Sequence, residues 1–145
     1  KDMPVQLVIT RGGGVSPAHD ESFPPSAVVV DYAPQLELLK CASLVITHGS
    51  ANTVVESLLQ GVPVVAIPLI FDQHGVAARL ERTGAGISVQ LKQARTRRLR
   101  SAIEMSLENP AYSEAAARMR DACIEAGGAE RAAEIIESVT TVKGS

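Results

Sequence analysis

Residues 44–56 read LVITHGSANTVVE, and this stretch decides the fold of the chain. The run from Leu44 to Thr47 is apolar and β-branched, which is typical of a buried strand. Small and polar residues follow, and from Asn52 onward apolar residues recur at helical spacing, with Ser50 or Asn52 as the N-cap. The stretch therefore predicts a strand, a tight turn and a helix that begins at the carboxyl end of the strand.

The predicted turn has the chemistry of a phosphate site. The first amides of a helix have no intrahelical acceptor, and the helix dipole favours negative charge there. His48, Asn52 and Thr53 can each donate a hydrogen bond to a phosphate oxygen, and Glu56 can accept one from a sugar hydroxyl. A phosphate and a sugar together indicate a nucleotide. Taken alone the motif is weak, because many such turns in α/β proteins bind nothing.

The composition is that of one α/β domain. The chain has 145 residues, of which 46% are hydrophobic and 3% aromatic, so its core must consist of aliphatic side chains. The net charge of −2 argues against nucleic acid as a partner. There is no run long enough to span a bilayer, and Cys41 and Cys123 predict reduced thiols and a cytoplasmic location. Four arginines form a basic cluster of the kind that usually covers a solvated helix face: Arg95, Arg97, Arg98 and Arg100.

Strand and helix patterns alternate along the chain. The predicted strands are residues 5–10, 27–31, 44–47, 62–68 and 87–89. The predicted helices are residues 36–42, 52–60 and 73–83, and three more after residue 92 that are divided at residues 109–110 and 127–128. This order predicts an α/β fold with a Rossmann-like, doubly wound parallel sheet that ends in C-terminal helices.

Several separately spaced motifs extend the argument beyond the turn. They are Tyr32-Ala33-Pro34-Gln35, Thr47-His48-Gly49, Asn52-Thr53, Glu56, Gly61-Val62-Pro63, Pro68 and Asp72-Gln73. Together they resemble the donor-binding signature of the UDP-glycosyltransferases, which share the two-domain GT-B fold. The continuation through residues 72–79 and 84–86 is similar to bacterial carotenoid and macrolide glucosyltransferases, and the resemblance covers most of residues 27–135.

The resemblance implies a role for each motif residue. The implied roles are uracil binding by Tyr32 and Ala33, ribose binding by Gln35 and Glu56, diphosphate binding by His48, Gly49, Ser50, Asn52 and Thr53, and donor-sugar binding by Asp72 and Gln73. Two residues depart from the family pattern, because Ser50 replaces a common glycine and Ala51 replaces the tryptophan of plant members. Because of these departures, the sequence does not determine the shape of the sugar pocket.

The resemblance also implies a function for the chain as a whole. Residues 1–145 would be the C-terminal donor-binding domain of a longer two-domain inverting enzyme. That enzyme would transfer a hexose, most simply glucose, from a UDP-sugar to a small hydroxylated acceptor held by the other domain. The general base would belong to the other domain, so no catalytic residue is assigned here and the isolated chain is expected to be inactive. Neither a metal nor another cofactor is expected, because an Asp-x-Asp cation motif is absent from the sequence.

Alternative interpretations remain open from the sequence. The chain could belong to a GT-B enzyme with another donor, such as UDP-GlcNAc or a dTDP-sugar, or it could be a non-catalytic nucleotide-binding module. Single residues have structural alternatives as well. His48 could stabilise its turn, Glu56 could be a surface carboxylate, Asp72 could cap a helix, and Tyr32 could fill the core.

Overall fold

The structure, a computed structural model, describes residues 3–12 and 23–141. The chain divides into two compact units, Lys1–Leu38 and Leu39–Ser145. The first unit contains the strands β1 (Val8–Thr10) and β2 (Val28–Val30), and the short helix α1 (Gln35–Leu39) begins in it.

The first unit is built on a two-stranded parallel sheet. Val8 pairs with Val28, and Thr10 pairs with Val30. The two carboxyl ends are linked by an ion pair, with Arg11 Nε 3.3 Å from Asp31 Oδ1. The unbroken valines of β2 predict burial on both faces, but Val28 is 47% exposed. That prediction is wrong because two strands are too few to bury both faces of β2.

The second unit contains the rest of the regular structure. Its elements, in order, are β3 (Val45–Thr47), α2 (Ala51–Leu59), β4 (Val64–Ala66), α3 (Gln73–Thr83), β5 (Gly86–Ser88), a 3₁₀ turn (Leu91–Gln93), α4 (Thr96–Glu108), α5 (Pro110–Glu125) and α6 (Gly128–Thr141). The three strands form a parallel sheet in the order β3-β4-β5. Parallel strands joined by helices confirm the predicted α/β fold.

Strand β4 is the centre of the core. Its side chains alternate between two hydrophobic clusters, as expected for a strand covered on both faces. Val64 and Ala66 pack with residues of α2, α3 and α5, whereas Val65 packs with α4. The second unit is therefore a sheet with helices on both sides, which is the doubly wound arrangement.

The segment predicted to be a buried strand is only partly buried. Ile46 in β3 is 41% exposed, and the deeply buried strand is β4. The physical reason is that β3 lies at one edge of the three-stranded sheet. The first four strands are also shorter than predicted, with three residues each, and β5 has the predicted length but begins one residue earlier. The helix boundaries near residues 60, 84, 109 and 127 agree with the sequence pattern.

The last helix differs from the others. None of the side chains of α6 described between residues 128 and 140 is buried, and Ile135, Ile136 and Val139 are exposed although they are large and apolar. In contrast, α5 contributes Ala115 and Ala116 to the core cluster that includes β4. No helix within the described ranges is both long and apolar enough to cross a membrane.

Candidate functional site

The carboxyl ends of the three strands of the second unit lie at one edge of the sheet. Thr47 pairs with Ala66, and Ala66 pairs with Ser88. The amide of Ile67 donates to the carbonyl oxygen of Thr47 at 2.8 Å, which carries the ladder to the end of β3. His48 and the loop that follows β4 therefore start from adjacent strand ends, where open α/β sheets bind their ligands.

Gly49 brings three elements close together. Its φ of +85° is in the left-handed region that favours glycine. Its amide donates to Thr47 Oγ1 at 3.3 Å. A methyl group at this position would lie 3.5 Å from the Cβ of Ala66 and 3.8 Å from the carbonyl oxygen of Gln73. The turn after β3 thus packs against the end of β4 and the start of α3.

Ser50 caps helix α2. Its Oγ accepts a hydrogen bond from the Thr53 amide at 3.4 Å and donates one to Thr53 Oγ1 at 3.0 Å. Ser50, rather than Asn52, is therefore the N-cap. The amides of Ala51 and Asn52 lack an intrahelical acceptor, as at any helix start. The Thr53 hydroxyl proton also remains available for an anion, whereas the Ser50 hydroxyl proton is already used.

His48, Asn52 and Glu56 surround the start of α2. The His48 side chain is exposed and makes no hydrogen bond to any other residue that the structure describes, so it does not stabilise the turn. Asn52 is exposed and Glu56 is half-buried. These two residues are four apart on α2 and share one face of the helix.

The loop between β4 and α3 is held by a side chain from the helix itself. Gln73 is only 9% exposed, and its Oε1 accepts hydrogen bonds from the amides of Leu69 at 2.9 Å and Ile70 at 3.0 Å. Its side-chain amide N–H groups are what remains for a ligand. Asp72 occupies the N-cap position but its exposed carboxylate makes no capping hydrogen bond. The alternative reading of Asp72 as a helix cap is therefore wrong.

Phe71 is a feature of this loop that the sequence pattern did not predict. It is the one non-glycine residue with positive φ, +54°, in the described part of the chain. The left-handed conformation is unfavourable for a residue with a Cβ atom. Phe71 is also 86% exposed. A strained aromatic residue therefore projects beside Asp72, and only its sequence position next to the Asp-Gln pair could have drawn attention to it.

The predicted base and ribose residues of the first unit follow β2. Tyr32 is 83% exposed, so its alternative reading as a core residue is wrong. Ala33 is half-buried, and Gln35 is exposed at the first position of α1. The remaining predicted residues belong to the second unit, where the turn after β3 and the start of α3 bring them together. No grouping of His, Cys, Asp or Glu side chains suited to a metal ion occurs within residues 3–12 and 23–141.

Comparison with known proteins identifies the family. A family model described as UDP-glucoronosyl and UDP-glucosyl transferase matches residues 5–125. The chain belongs to this family. The match includes every residue for which the sequence suggested a donor-binding role, and it confirms the resemblance drawn from the motifs.

Individual relatives and solved structures agree with the family. The chain is 34% identical over 140 residues to the uncharacterized UDP-glucosyltransferase YojK of Bacillus subtilis, which covers 96% of this chain and 35% of that protein. It is 37% identical over 134 residues to the zeaxanthin glucosyltransferase of Pseudescherichia vulneris, covering 91% of this chain and 32% of that protein.

Among solved structures, the calicheamicin glycosyltransferase CalG4 superimposes with a TM-score of 0.88 at 28% identity, covering 99% of this chain and 38% of that one. The glycosyltransferase neighbours have the GT-B fold, so the α/β fold predicted from the sequence is confirmed. The chain spans about a third of the length of the curated relatives it matches.

Proposed function

We propose that this chain binds the sugar nucleotide in an inverting glycosyltransferase that transfers a hexose, glucose, from a UDP-sugar to a small hydroxylated acceptor. The chain would supply the donor site, and a segment outside residues 1–145 would supply the acceptor site and the general base. The family and the names of the relatives support the class of reaction. The donor, the sugar and the stereochemistry are our inference.

One observation carries the proposal. The turn after β3 packs against the start of α3, since a methyl group at Gly49 would be in van der Waals contact with Ala66 and with the Gln73 carbonyl oxygen. The diphosphate residues at the start of α2 and the sugar residues at the start of α3 are therefore adjacent, at the edge of the sheet where ligands bind. A sugar nucleotide needs this adjacency, because its diphosphate is bonded directly to the transferred sugar.

The start of α2 is suited to stabilise a leaving diphosphate. Negative charge develops on the diphosphate as its bond to the sugar breaks, and oriented donors lower the energy of that charge without rearranging. The amides of Ala51 and Asn52, the Thr53 hydroxyl and the exposed His48 imidazole are such donors. In this proposal His48 donates its ring N–H to a phosphate oxygen. The donor contacts need no metal ion.

Glu56 is proposed to select ribose. A carboxylate can accept hydrogen bonds from both hydroxyls of a ribose, whereas deoxyribose offers only the 3′-hydroxyl. Glu56 lies one turn beyond Asn52 on the same face of α2. A ribose attached to a diphosphate at the start of the helix would come within its reach. This geometry favours UDP over dTDP.

The acceptor is proposed to be a small hydroxylated molecule with a large apolar part. One relative is named for the glucosylation of zeaxanthin. The loop beside Asp72 exposes Leu69, Ile70 and Phe71, which suits an apolar neighbour.

The isolated chain should bind UDP but transfer no sugar, and measurable transfer by the purified 145-residue chain would contradict the proposed division of the site.

The decisive experiment is calorimetric titration of UDP and uridine into the wild-type chain and a His48→Ala variant. We expect UDP affinity to fall by about 1.5–3 kcal/mol, the range for a hydrogen bond to a charged group, while uridine affinity stays the same. His74→Ala is the matched control, since His74 is the other imidazole described and is also exposed. Equal losses for UDP and uridine would show that His48 has a structural role instead.

A second titration tests the choice of donor. We expect the wild-type chain to prefer UDP over dTDP by about 10- to 100-fold, because deoxyribose leaves part of the Glu56 carboxylate without a donor. Glu56→Gln should narrow this preference, and Glu56→Leu should nearly remove it. Equal wild-type affinities for the two nucleotides would contradict the proposed UDP donor, and a preference that persists in Glu56→Leu would show that Glu56 does not select the ribose.

A further inference from the structure

A groove beside α4 collects positive charge. It has a volume of about 550 Å³ and is lined by Lys92, Gln93, Arg95, Arg97, Arg98 and Ser101. We call these six residues the cationic groove. The groove follows β5, and none of its residues has been assigned a role in donor binding. Four of the six lining side chains are cationic and none is acidic, although the chain as a whole carries a net charge of −2.

The charges of the groove are not balanced by the protein. Within the described residues, the side chains of Lys92, Arg95, Arg97 and Arg98 form no ion pair and no hydrogen bond. Arg100 provides the contrast, because its Nε bonds Glu104 Oε1 at 2.7 Å one turn along α4. The arginines are exposed, as the sequence pattern predicts for a solvated face. What sets the groove apart is that four unpaired cations lie around one cavity.

Helix stability does not explain the groove either. Arg95 occupies the N-cap position of α4 without a side-chain capping bond, and Arg97 and Arg98 lie in the first turn. Positive charges at the start of a helix are opposed by the helix dipole and repel one another. All four cationic side chains are exposed, so they contribute little to the core. The electrostatic energy of these clustered positive charges is unfavourable in the free chain, and a bound anion would make it favourable.

We propose that the cationic groove binds a ligand that carries two or more closely spaced phosphates. Guanidinium groups bind phosphate oxygens in pairs of parallel hydrogen bonds, and three of them around one cavity can hold adjacent phosphates. A single phosphate carries a charge of about −2, which is less than the four positive charges of the groove. The same chemistry occurs in a free polyphosphate compound and in the head groups of an anionic lipid surface. None of the residues that line the groove is among those proposed to bind UDP, and the proposal does not depend on the UDP site.

The test is calorimetric titration of inorganic tripolyphosphate into the full chain and three variants. The groove variant is Arg95→Gln/Arg97→Gln/Arg98→Gln. The charge control is Arg82→Gln/Arg118→Gln/Arg131→Gln, which removes the same charge at exposed positions outside the groove. The His48→Ala variant reports whether the probe binds at the start of α2 instead. Circular dichroism and the affinity for uridine, which has no phosphate, show that each triple variant remains folded.

We expect the groove variant to bind tripolyphosphate at the groove at least about tenfold more weakly, and the charge control and His48→Ala to keep the wild-type affinity of the groove. Affinity should also fall as salt is raised. Equal losses in the two triple variants would mean general charge attraction and would overturn the proposal. A loss confined to His48→Ala would also overturn it, because the probe would then occupy the other site.

A vesicle arm distinguishes the two sources of phosphate. Co-sedimentation with phosphatidylglycerol vesicles that is lost only in the groove variant would assign the groove to lipid head groups. Tripolyphosphate binding at the groove without vesicle binding would assign it to a soluble polyphosphate compound. Failure of the wild-type chain to bind either probe would overturn the proposal, and uridine binding measured on the same samples would still report on the donor site.

Discussion

Two strand-to-helix connections of the second unit are stabilised in different ways. The β3–α2 turn has a glycine, Gly49, at its left-handed position, and its helix is capped by Ser50 from outside the helix. The β4–α3 loop has a phenylalanine, Phe71, at its left-handed position, and it is held by Gln73 from inside the helix. The first connection is locally relaxed, whereas the second is strained and needs a clamp.

The difference shows where the stability of each connection resides. A cap and a glycine are local devices, so the β3–α2 turn can form from its own few residues. The loop before α3 depends on a side chain that is itself buried, and so it depends on the packing of the unit. Strain of this kind is commonly kept at functional sites. Substitutions in the loop beside the proposed sugar position should therefore change the stability more than substitutions in the β3–α2 turn.

Removal of the hydrogen bonds that Gln73 accepts should have the largest effect on stability. Gln73→Leu leaves the amides of Leu69 and Ile70 without their acceptor, and we expect the free energy of unfolding to fall by about 3 kcal/mol. Gln73→Glu keeps an oxygen that can accept both hydrogen bonds and should lose clearly less. Denaturant unfolding of both variants measures this. Equal losses would show that the side-chain amide N–H groups of Gln73, which both variants lack, hold the loop, and not its oxygen.

Gly49→Ala should have the next largest effect. The neighbouring atoms leave ordinary contact distances for a methyl group, so the cost comes from the left-handed backbone and should be about 1–2 kcal/mol. Gly75→Ala is the matched control, because Gly75 lies within α3 with nothing within 4 Å of the added methyl group. The control should stabilise the chain by about 0.5–1 kcal/mol in the same thermal or denaturant melts. If Gly49→Ala left the stability unchanged, the left-handed backbone would not be unfavourable for a residue with a Cβ atom at this position.

A pair of smaller changes compares the two helix starts directly. Ser50→Ala should destabilise the chain by about 1 kcal/mol because it removes a capping hydrogen bond. Asp72→Ala should change stability by less than about 0.5 kcal/mol, since Asp72 occupies the same position in α3 without such a bond. Unfolding midpoints at fixed pH measure both. If Asp72→Ala matched Ser50→Ala, the carboxylate would be acting as a cap.

The smallest effect should have the opposite sign. Phe71→Gly relieves the left-handed strain, and this gain exceeds the added backbone entropy of glycine by about 0.5 kcal/mol. The exposed ring contributes little burial that could be lost. Phe71→Ala keeps the strain and should not stabilise the chain. Destabilisation by Phe71→Gly of the same size as by Phe71→Ala would indicate that the ring makes stabilising contacts.

The order of elements could be predicted from the sequence, because apolar periodicity and punctuating residues determine it locally. Helix ends near Gly61 and Gly84 were predicted correctly, and both glycines adopt positive φ. Burial could not be predicted as well. Leu44–Thr47 has the composition of a buried strand, but its exposure depends on which neighbours pair with it, and that is a property of the assembled sheet.

The hydrogen bonds within the candidate site could not be predicted from residue types. The sequence identified Ser50, Asp72 and Gln73, but residue type alone suggested that Asp72 could cap α3. The structure instead gives the organising role to Gln73, whose hydrogen bonds run backward to residues of the loop. Such a bond depends on the path of the backbone. The strained conformation of Phe71 likewise has no signature in the residue types around it.

The exposure of α6 has a consequence for hydrogen exchange. Helix α6 has 14 residues, and none of its side chains described at residues 128–140 is buried. It is therefore stabilised mainly by its own backbone, and an isolated helix of that length is marginal in water. Its amide protons should exchange with solvent deuterium through local opening, at rates set by the helix–coil equilibrium and independent of global unfolding. The amides of β4 should exchange only when the whole second unit opens. The chain would therefore show two separate protection levels, with α6 melting first while the sheet remains intact.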